Sequence, residues 1–146
     1  MKKFLFILLF TCELFAISPY NLEGIKNINV KISDKGKLLS KETKDKISHK
    51  IKEELQQLGI NTDTKEFVNF VVKIEGVEIK DKQVINLSLI VNENIHPARD
   101  PKIQGIGLSY MKNDLFEVEE NLEKEINETI FSYLFADFKA QYKEEN

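Results

Sequence analysis

The sequence predicts an α+β fold, a two-layer sandwich in which a four-stranded, mostly antiparallel sheet carries two helices on one face in the order β-α-β-β-β-α. Short segments in which apolar and polar residues alternate are typical of strands with one solvated face. Two segments have apolar residues at helical spacing: one lies between the first and second strands, and the other follows the last strand. The chain of 146 residues, with 42% hydrophobic and 31% charged residues, has the size and composition of one globular domain.

The first strand and the first helix come from two neighbouring patterns. Apolar residues alternate with polar ones near the start of the domain, at Ile28, Val30 and Ile32. After the turn Asp34–Gly36, Ser40 suits an N-cap and Gly59 suits the position that follows a helix. These signals predict a strand and then a helix from about Lys41 to Leu58.

The next strands are predicted to form an antiparallel meander. Apolar residues alternate over Val68–Ile79, at even-numbered positions before Gly76 and at odd-numbered positions after it. This change of face predicts a β-bulge near that glycine. Lys80–Gln83 offers a hairpin turn, and alternation resumes over Ile85–Val91. A polar loop that contains two prolines, residues 92–102, then interrupts the strand pattern.

The last strand of the meander has one face with almost no side chains. One face is predicted to hold Gln104, Ile106, Leu108 and Tyr110, and the other to hold Gly105, Gly107 and Ser109. Small residues in a strand allow another backbone, a helix or a ligand to approach closely. The face with Gly105, Gly107 and Ser109 is therefore one candidate binding surface.

The closing helix is predicted to begin at Asp114, because an acidic N-cap with Glu117 three residues later resembles a capping box. Its apolar row recurs every four residues, at Val118, Leu122, Ile126, Ile130, Leu134 and Phe138. Towards the end of the helix the apolar arc widens from roughly 120° to roughly 200°. Either the first helix covers Phe131 and Phe135 from the side, or Phe131, Phe135 and Tyr142 bind a partner, a second copy or an acyl chain.

The N-terminus predicts export. Two lysines precede the apolar run Phe4–Phe10, which is shorter than the roughly 20 residues that a membrane span needs. Ala16 offers a small residue for cleavage, so residues 1–16 are predicted to be a signal peptide and residues 17–146 a single domain in the periplasm. As an alternative, Leu9–Cys12 resembles a lipobox, and lipidation of Cys12 would anchor the protein to a membrane.

The residues required by several chemistries are absent from the sequence. Cys12 is the only cysteine, so cleavage after Ala16 leaves no thiol for disulfides, zinc binding or thiol catalysis. There is no G-x-S-x-G motif and no complete phosphate-binding glycine motif. The net charge of −3 disfavours nucleic acid as a partner. We therefore expect no cofactor, no metal site and no enzymatic activity.

The loop His96–Pro101 is a second candidate recognition site. It contains Arg99, the single arginine of the chain, and its two prolines stiffen it. The alternative is a rigid connector in which Arg99 contacts Asp100 or Asp114. If the protein is an enzyme after all, His96, Arg99 and Asp100 are the candidates.

Four features together resemble a group of small bacterial envelope proteins: an export signal, the helix Ser40–Gly59, the meander Val68–Tyr110 and the helix from Asp114. The group includes the lipopolysaccharide-assembly lipoprotein family and the TolB N-terminal-like modules, in which two helices pack on one face of a four-stranded sheet. The resemblance implies a non-catalytic role in envelope assembly, with another envelope protein or a second copy as partner. The alternative is a small-ligand or lipid carrier with a pocket between helices and sheet.

Overall fold

A computed structural model describes residues 21–146 and confirms the α+β fold and the order β-α-β-β-β-α. The first five elements are β1 (Asn29–Asp34), α1 (Lys41–Gln57), β2 (Val68–Ile79), β3 (Lys82–Ile95) and β4 (Gly105–Glu117). One long closing helix follows, made of α2 (Leu122–Thr129), a π-helical turn (Ile130–Leu134) and α3 (Phe135–Glu145). The predicted signal peptide, residues 1–16, and the alternative lipidation site Cys12 lie outside the described residues.

The sheet has the strand order β1-β2-β3-β4. β1 runs parallel to β2, as a connection through α1 requires, and the other neighbours are antiparallel. One row crosses all four strands, through Val30, Phe70, Val91 and Tyr110. β1 and β4 are therefore the two edges.

Both helices pack on the same face of the sheet. α1 buries Ile47, Ile51 and Leu55 in one core cluster with residues of β2 and β3 such as Phe70 and Leu87. The closing helix runs beside α1 in the same direction. Near the middle of α1, the Lys50 Nζ lies 3.9 Å from the centroid of the Phe131 ring, and one turn further Glu54 forms an ion pair with Lys139. The other face of the sheet carries no helix of the described chain.

The predicted boundaries of α1 are confirmed. Ser40 Oγ accepts a hydrogen bond of 3.0 Å from the Thr43 N–H, as an N-cap does. At the other end, Gly59 has a φ of +81°, a conformation that favours glycine.

The turn between β1 and α1 is organised by the buried carboxylate of Asp34. It accepts hydrogen bonds of 3.0 Å from the N–H groups of Leu38 and Leu39, and Lys44 Nζ lies 3.6 Å away. Burial alone would raise the pKa of Asp34, but the two backbone hydrogen bonds and the charge of Lys44 outweigh it, so that the pKa is lowered. The ionised form therefore stabilises the turn.

Replacing Asp34 by alanine is expected to lower the free energy of unfolding by about 1–3 kcal/mol at pH 7, because two partly buried N–H groups, those of Leu38 and Leu39, lose their acceptor. Since folding lowers this pKa, the contribution is complete above the unfolded pKa of about 4 and is lost as the pH falls through the folded pKa. Urea unfolding at pH 7 and at successively lower pH measures the difference between wild type and variant. Asp45→Ala, at an exposed position of α1, is the matched control. A difference that stays constant into the acid range would contradict the role of the carboxylate.

The predicted start of the closing helix at Asp114 is wrong. β4 continues to Glu117, and the helix begins at Leu122 with Asn121 as its N-cap. The reason is tertiary: β3 supplies pairing partners for this segment, with Phe116 opposite Ile85. Sheet pairing therefore overrides the local capping signal.

The true start of the helix has its own carboxylate cap. Asn121 Oδ1 accepts from the Lys124 N–H at 2.9 Å. The Glu125 carboxylate accepts from three successive N–H groups, those of Glu119, Glu120 and Asn121. These hydrogen bonds, led by the one from Glu120, lower the pKa of Glu125. The carboxylate of Glu125 thus caps the N–H groups at the start of the helix.

The π-helical turn keeps the buried row of the closing helix directed at the sheet. The row recurs every four residues, at Ile126, Ile130, Leu134, Phe138 and Tyr142. In a straight α-helix each such step turns the row by about 40°, which amounts to roughly 160° over the whole row. The π turn is closed by a hydrogen bond from the Phe135 N–H to the Ile130 carbonyl. It inserts one residue and so reduces the rotation of the row around the helix by about 100°.

The β-bulge predicted near Gly76 is wrong. Gly76 lies opposite Ile85 in an uninterrupted register, and the change of parity simply places Val77 and Ile79 on the helix-free face. The space above Gly76 is occupied by Leu38, since a Cβ on Gly76 would lie 2.9 Å from a methyl carbon of that side chain. The parity change therefore reflects a change in which face is apolar.

The observed bulge lies in β4. Between Val91 and Asn92 the register shifts, so that Val91 faces Tyr110 and Asn92 faces Leu108. Ser109 is the extra residue, and its hydroxyl donates to Glu93. The predicted common face of residues 104–110 is thereby split, with Tyr110 in the core and Leu108 on the helix-free face.

The two ends of the described chain contact each other. The side-chain amide of Asn146 donates to the Leu22 carbonyl at 3.0 Å and its oxygen accepts from the Gly24 N–H at 2.8 Å. The Tyr142 hydroxyl donates to the Ile25 carbonyl at 3.0 Å. Leu22 and Ile25 are buried, so this junction forms part of the core.

Candidate functional site

The aromatic surface expected at the end of the closing helix is not formed. Phe135 is fully buried and Tyr142 is only 8% exposed. Phe131 is half-buried beneath Lys50 of α1, which agrees with the alternative that α1 covers this region from the side. The wide apolar arc is explained by the π turn, which brings Phe135 into the core beside Leu134. The partner-binding role of Phe131, Phe135 and Tyr142 stays a prediction without an exposed surface behind it.

The loop after β3 is closed by its own hydrogen bonds. It begins later than predicted, because β3 continues to Ile95. His96 Nδ1 lies 3.1 Å from the Ile103 carbonyl, and the Asp100 carboxylate accepts from the Lys102 N–H at 3.0 Å. Arg99 is exposed and forms no ion pair within residues 21–146, so the expected contact with Asp100 or Asp114 is wrong. The loop has the geometry of a connector, and its role in recognition is untested.

The face with small residues in β4 is filled from within the chain. A Cβ at Gly107 would lie 2.7 Å from a methyl carbon of Ile95, so the Ile95 side chain lies over this glycine. Ser109 is buried and bonded to Glu93. The close approach that the small residues predicted is therefore made at Gly107 by the neighbouring strand, and the binding role of this surface stays a prediction.

The helix-free face of the sheet carries an apolar row across three strands. Val71 lies opposite Ile90, and Ile90 lies opposite Met111. All three are half-buried although no helix covers them, because they shield one another. A solvated sheet face would more often carry polar residues at such positions.

The apolar row continues along β4 into the most exposed apolar side chains of this end of the sheet. Leu108 is 54% exposed and Ile106 is 65% exposed. Because of the bulge at Ser109, both lie on the same face as Met111. We call these five residues, Val71, Ile90, Met111, Leu108 and Ile106, the open-face patch.

A second apolar group lies at the opposite end of the same face. Val77, Val84 and Leu115 line a surface cavity of about 450 Å³ together with Glu75 and Asn86. Leu115 is 65% exposed. A polar row that includes Lys73, Ser88 and Asn113 separates this group from the open-face patch.

Within residues 21–146, no strand pairs with the outer side of β4. The Val118 N–H donates to the Gln83 carbonyl at 2.9 Å, so by alternation the backbone groups of Met111, Asn113 and Leu115 face away from β3. Further up the strand, the Ser109 carbonyl accepts from the Asn21 N–H at 3.0 Å. Sequence reasoning missed this edge because it ended the strand near Tyr110. The alternation of Met111, Asn113 and Leu115 with charged residues was the available signal.

Residues 21–146 contain no cluster of three or more histidine, cysteine, aspartate or glutamate side chains that could hold a metal ion. Over the same range, every helix is too short or too polar to cross a membrane.

The described residues form a two-layer α+β domain, and among residues 21–146 no helix covers the apolar sheet face and no strand pairs with the outer edge of β4. Comparison with protein-family models gives no match for this chain, and comparison with curated proteins gives none either.

Proposed function

We propose that this chain is a non-enzymatic binding or adaptor protein of the bacterial envelope, periplasmic or associated with the outer membrane. Its partner, another envelope protein, binds on the open-face patch. The observation that carries the proposal is the exposure of Ile106 and Leu108 at the end of an apolar row that no helix covers. The envelope setting is supported by the signal-like N-terminus and by the resemblance to envelope-assembly proteins.

The open-face patch has the composition of a binding surface. An apolar group rimmed by polar residues is typical of sites that bind protein. Full burial of an isoleucine or leucine side chain stabilises by about 1.5–3 kcal/mol. Since Ile106 is 65% and Leu108 is 54% exposed, burial of either side chain against a partner would contribute about 1–2 kcal/mol and strengthen binding by about five- to thirtyfold.

The packing between helices and sheet favours a surface site over an internal carrier pocket. Phe70 contacts Phe135 and Phe138 edge to face, with ring centroids 5.5 Å and 5.1 Å apart. Phe135 and Phe138 stack on each other at 5.7 Å. Side chains thus fill the space in which a carrier would hold its ligand.

The test is affinity capture of the tagged protein from the envelope of its own source, with wild type compared with Ile106→Ser/Leu108→Ser. We expect the double variant to lose the captured envelope protein by about tenfold or more while its thermal unfolding stays close to wild type, since both side chains are exposed. Val77→Ser/Ile79→Ser, on the same face at the other end of the sheet, is the matched control and should retain the partner.

Equal capture by both double variants would overturn the open-face patch as the binding site. Native mass spectrometry of the same preparations tests the carrier alternative. A small ligand or lipid that remains bound to wild type and to both variants would favour the carrier and contradict the adaptor proposal.

A further inference from the structure

The two edges of the sheet differ in how much backbone they offer. β1 has 6 residues and β4 has 13. Within residues 21–146, Asn21 reaches β4 only at Ser109, so the outward backbone groups of Met111, Asn113 and Leu115 lie beyond that contact. A long edge of this kind is a template for pairing with another strand.

We propose that β4 pairs antiparallel with β4 of a second copy about a two-fold axis at Asn113, which joins the two sheets into one. This inference goes beyond the proposed function, because it concerns the edge of the sheet and a partner identical to the chain itself. A two-fold interface requires a surface that is complementary to itself. The sequence of β4 meets that requirement when the axis passes through Asn113.

The hydrogen-bonding pattern limits the registers that are available. Outward-facing residues must lie opposite outward-facing residues, so the axis must pass through a residue and not between two residues. With the axis at Asn113, the Met111 of each copy lies opposite Leu115 of the other, and both lie on the helix-free face. An apolar cross-strand pair of this kind stabilises antiparallel pairing.

The charges of β4 select Asn113 over its neighbours. With the axis at Asn113, Lys112 lies opposite Asp114 of the other copy, on the side that faces the helices. An axis at Lys112 would place two lysines opposite each other, and an axis at Asp114 would place two aspartates opposite each other. Like charges directly opposite destabilise a strand pair, whereas opposite charges stabilise it.

Both charged residues are already oriented in the single chain. Lys112 Nζ lies 2.7 Å from the Asp137 carboxylate, and its hydrogen bonds to Asp137 and Tyr133 raise the pKa of Lys112, which keeps it charged at neutral pH. Asp114 Oδ1 accepts from the exposed Leu115 N–H at 3.0 Å. Pairing gives that N–H the Met111 carbonyl of the second copy and frees the carboxylate to face Lys112.

The width of the helix layer permits this arrangement. Four strands at about 4.8 Å spacing are about as wide as two helices packed at 8–10 Å. A second sheet added at β4 therefore brings its helices beside those of the first copy and not on top of them. Ile106 and Leu108 of the open-face patch stay accessible in the pair, whereas Met111 gains a contact with Leu115 of the other copy.

Sedimentation equilibrium of the purified chain is the first test. We expect a dimer whose dissociation constant lies below about 100 µM and rises about tenfold or more in Asp114→Lys, which places lysine opposite lysine. Lys112→Glu/Asp114→Lys restores opposite charges and should recover the dimer. Glu117→Lys makes the same change in net charge outside the central pairs and should leave the dimer unchanged. The proposal would be overturned if the wild-type chain were still monomeric at about 100 µM, or if Asp114→Lys dimerised as tightly as wild type.

Site-specific cross-linking tests the register. In a Cys12→Ser background, Asn113→Cys places two cysteines at a Cα separation of about 5.5 Å, within reach of a disulfide. Met111→Cys places its two cysteines four residues out of register, about 13 Å apart along the strand. Oxidation should therefore cross-link the first variant and not the second, and the reverse result would overturn the axis at Asn113.

The outcome is separable from the test of the envelope partner. Ile106→Ser/Leu108→Ser should remain dimeric, since neither residue lies in the central pairs. Loss of partner capture with an intact dimer would affect the proposed function alone. Loss of the dimer in Asp114→Lys with unchanged partner capture would support the edge as a separate interface.

Discussion

Phe135→Ala is expected to lower the free energy of unfolding by about 3–5 kcal/mol, the range for removing a buried phenylalanine ring. Phe135 is fully buried and its ring contacts both Phe70 and Phe138. Loss of the ring leaves a cavity between sheet and helix that neighbouring aromatic side chains are too rigid to fill. Urea unfolding at pH 7, followed by circular dichroism, measures the change.

Tyr133→Ala is the matched control for this prediction. Tyr133 lies in the π turn, two residues before Phe135, but is 42% exposed, so its removal should cost about 1 kcal/mol or less. If Phe135→Ala proved no more costly than the control, Phe135 would not be a core residue. In that case the prediction that it binds a partner would regain its basis.

Deletion of Ser132 is expected to lower the free energy of unfolding by about 4 kcal/mol or more. The deletion removes the extra residue of the π turn, so the rest of the helix turns by about 100° relative to the sheet. Phe138 then leaves its contacts with Phe70 and Tyr110, and Tyr142 loses its hydrogen bond to Ile25. Differential scanning calorimetry should show a much lower or an absent cooperative transition.

Ser132→Ala separates the side chain from the chain length. Ser132 is exposed, and alanine is a good helix former, so this variant should unfold within about 0.5 kcal/mol of wild type. A deletion variant as stable as Ser132→Ala would show that the closing helix does not need the extra residue. The compensating role of the π turn would then be wrong.

The sequence predicted those parts of the fold that depend on local periodicity. Alternation marked β1, β2 and β3, and capping chemistry at Ser40 and Gly59 marked α1. These signals are local because a side chain's face is fixed by its position in the element. The order of elements, and the expectation that one sheet face lacks helices, followed from them.

The start of the closing helix could not be predicted in this way, because two local signals competed with one distant partner. Asp114 and Glu117 have the spacing of a capping box, yet Leu115 and Phe116 find partners in Asn86 and Ile85 of β3. Which signal prevails depends on the register of a strand that lies about thirty residues away in the chain. The local sequence around Asp114 does not determine that register.

The open-face patch could not be predicted from the sequence for a related reason. Whether Leu108 points into the core or into solvent depends on the bulge at Ser109, and the residues around the bulge are small but otherwise unmarked. The π turn did leave a trace, since an apolar row repeating strictly every four residues cannot stay on one face of a regular α-helix. The widening arc was therefore a correct observation, and its physical cause was an inserted residue.

The junction between the two ends of the described chain affects the order of events during synthesis. Leu22 and Ile25 are made early, but their partners Tyr142 and Asn146 are more than a hundred residues later. While a ribosome is still adding the closing helix, these apolar residues lack their final cover and stay accessible to chaperones and proteases. The core can therefore be completed only after the last turns of the closing helix have been synthesised. A stalled or shortened chain should be degraded and should not accumulate.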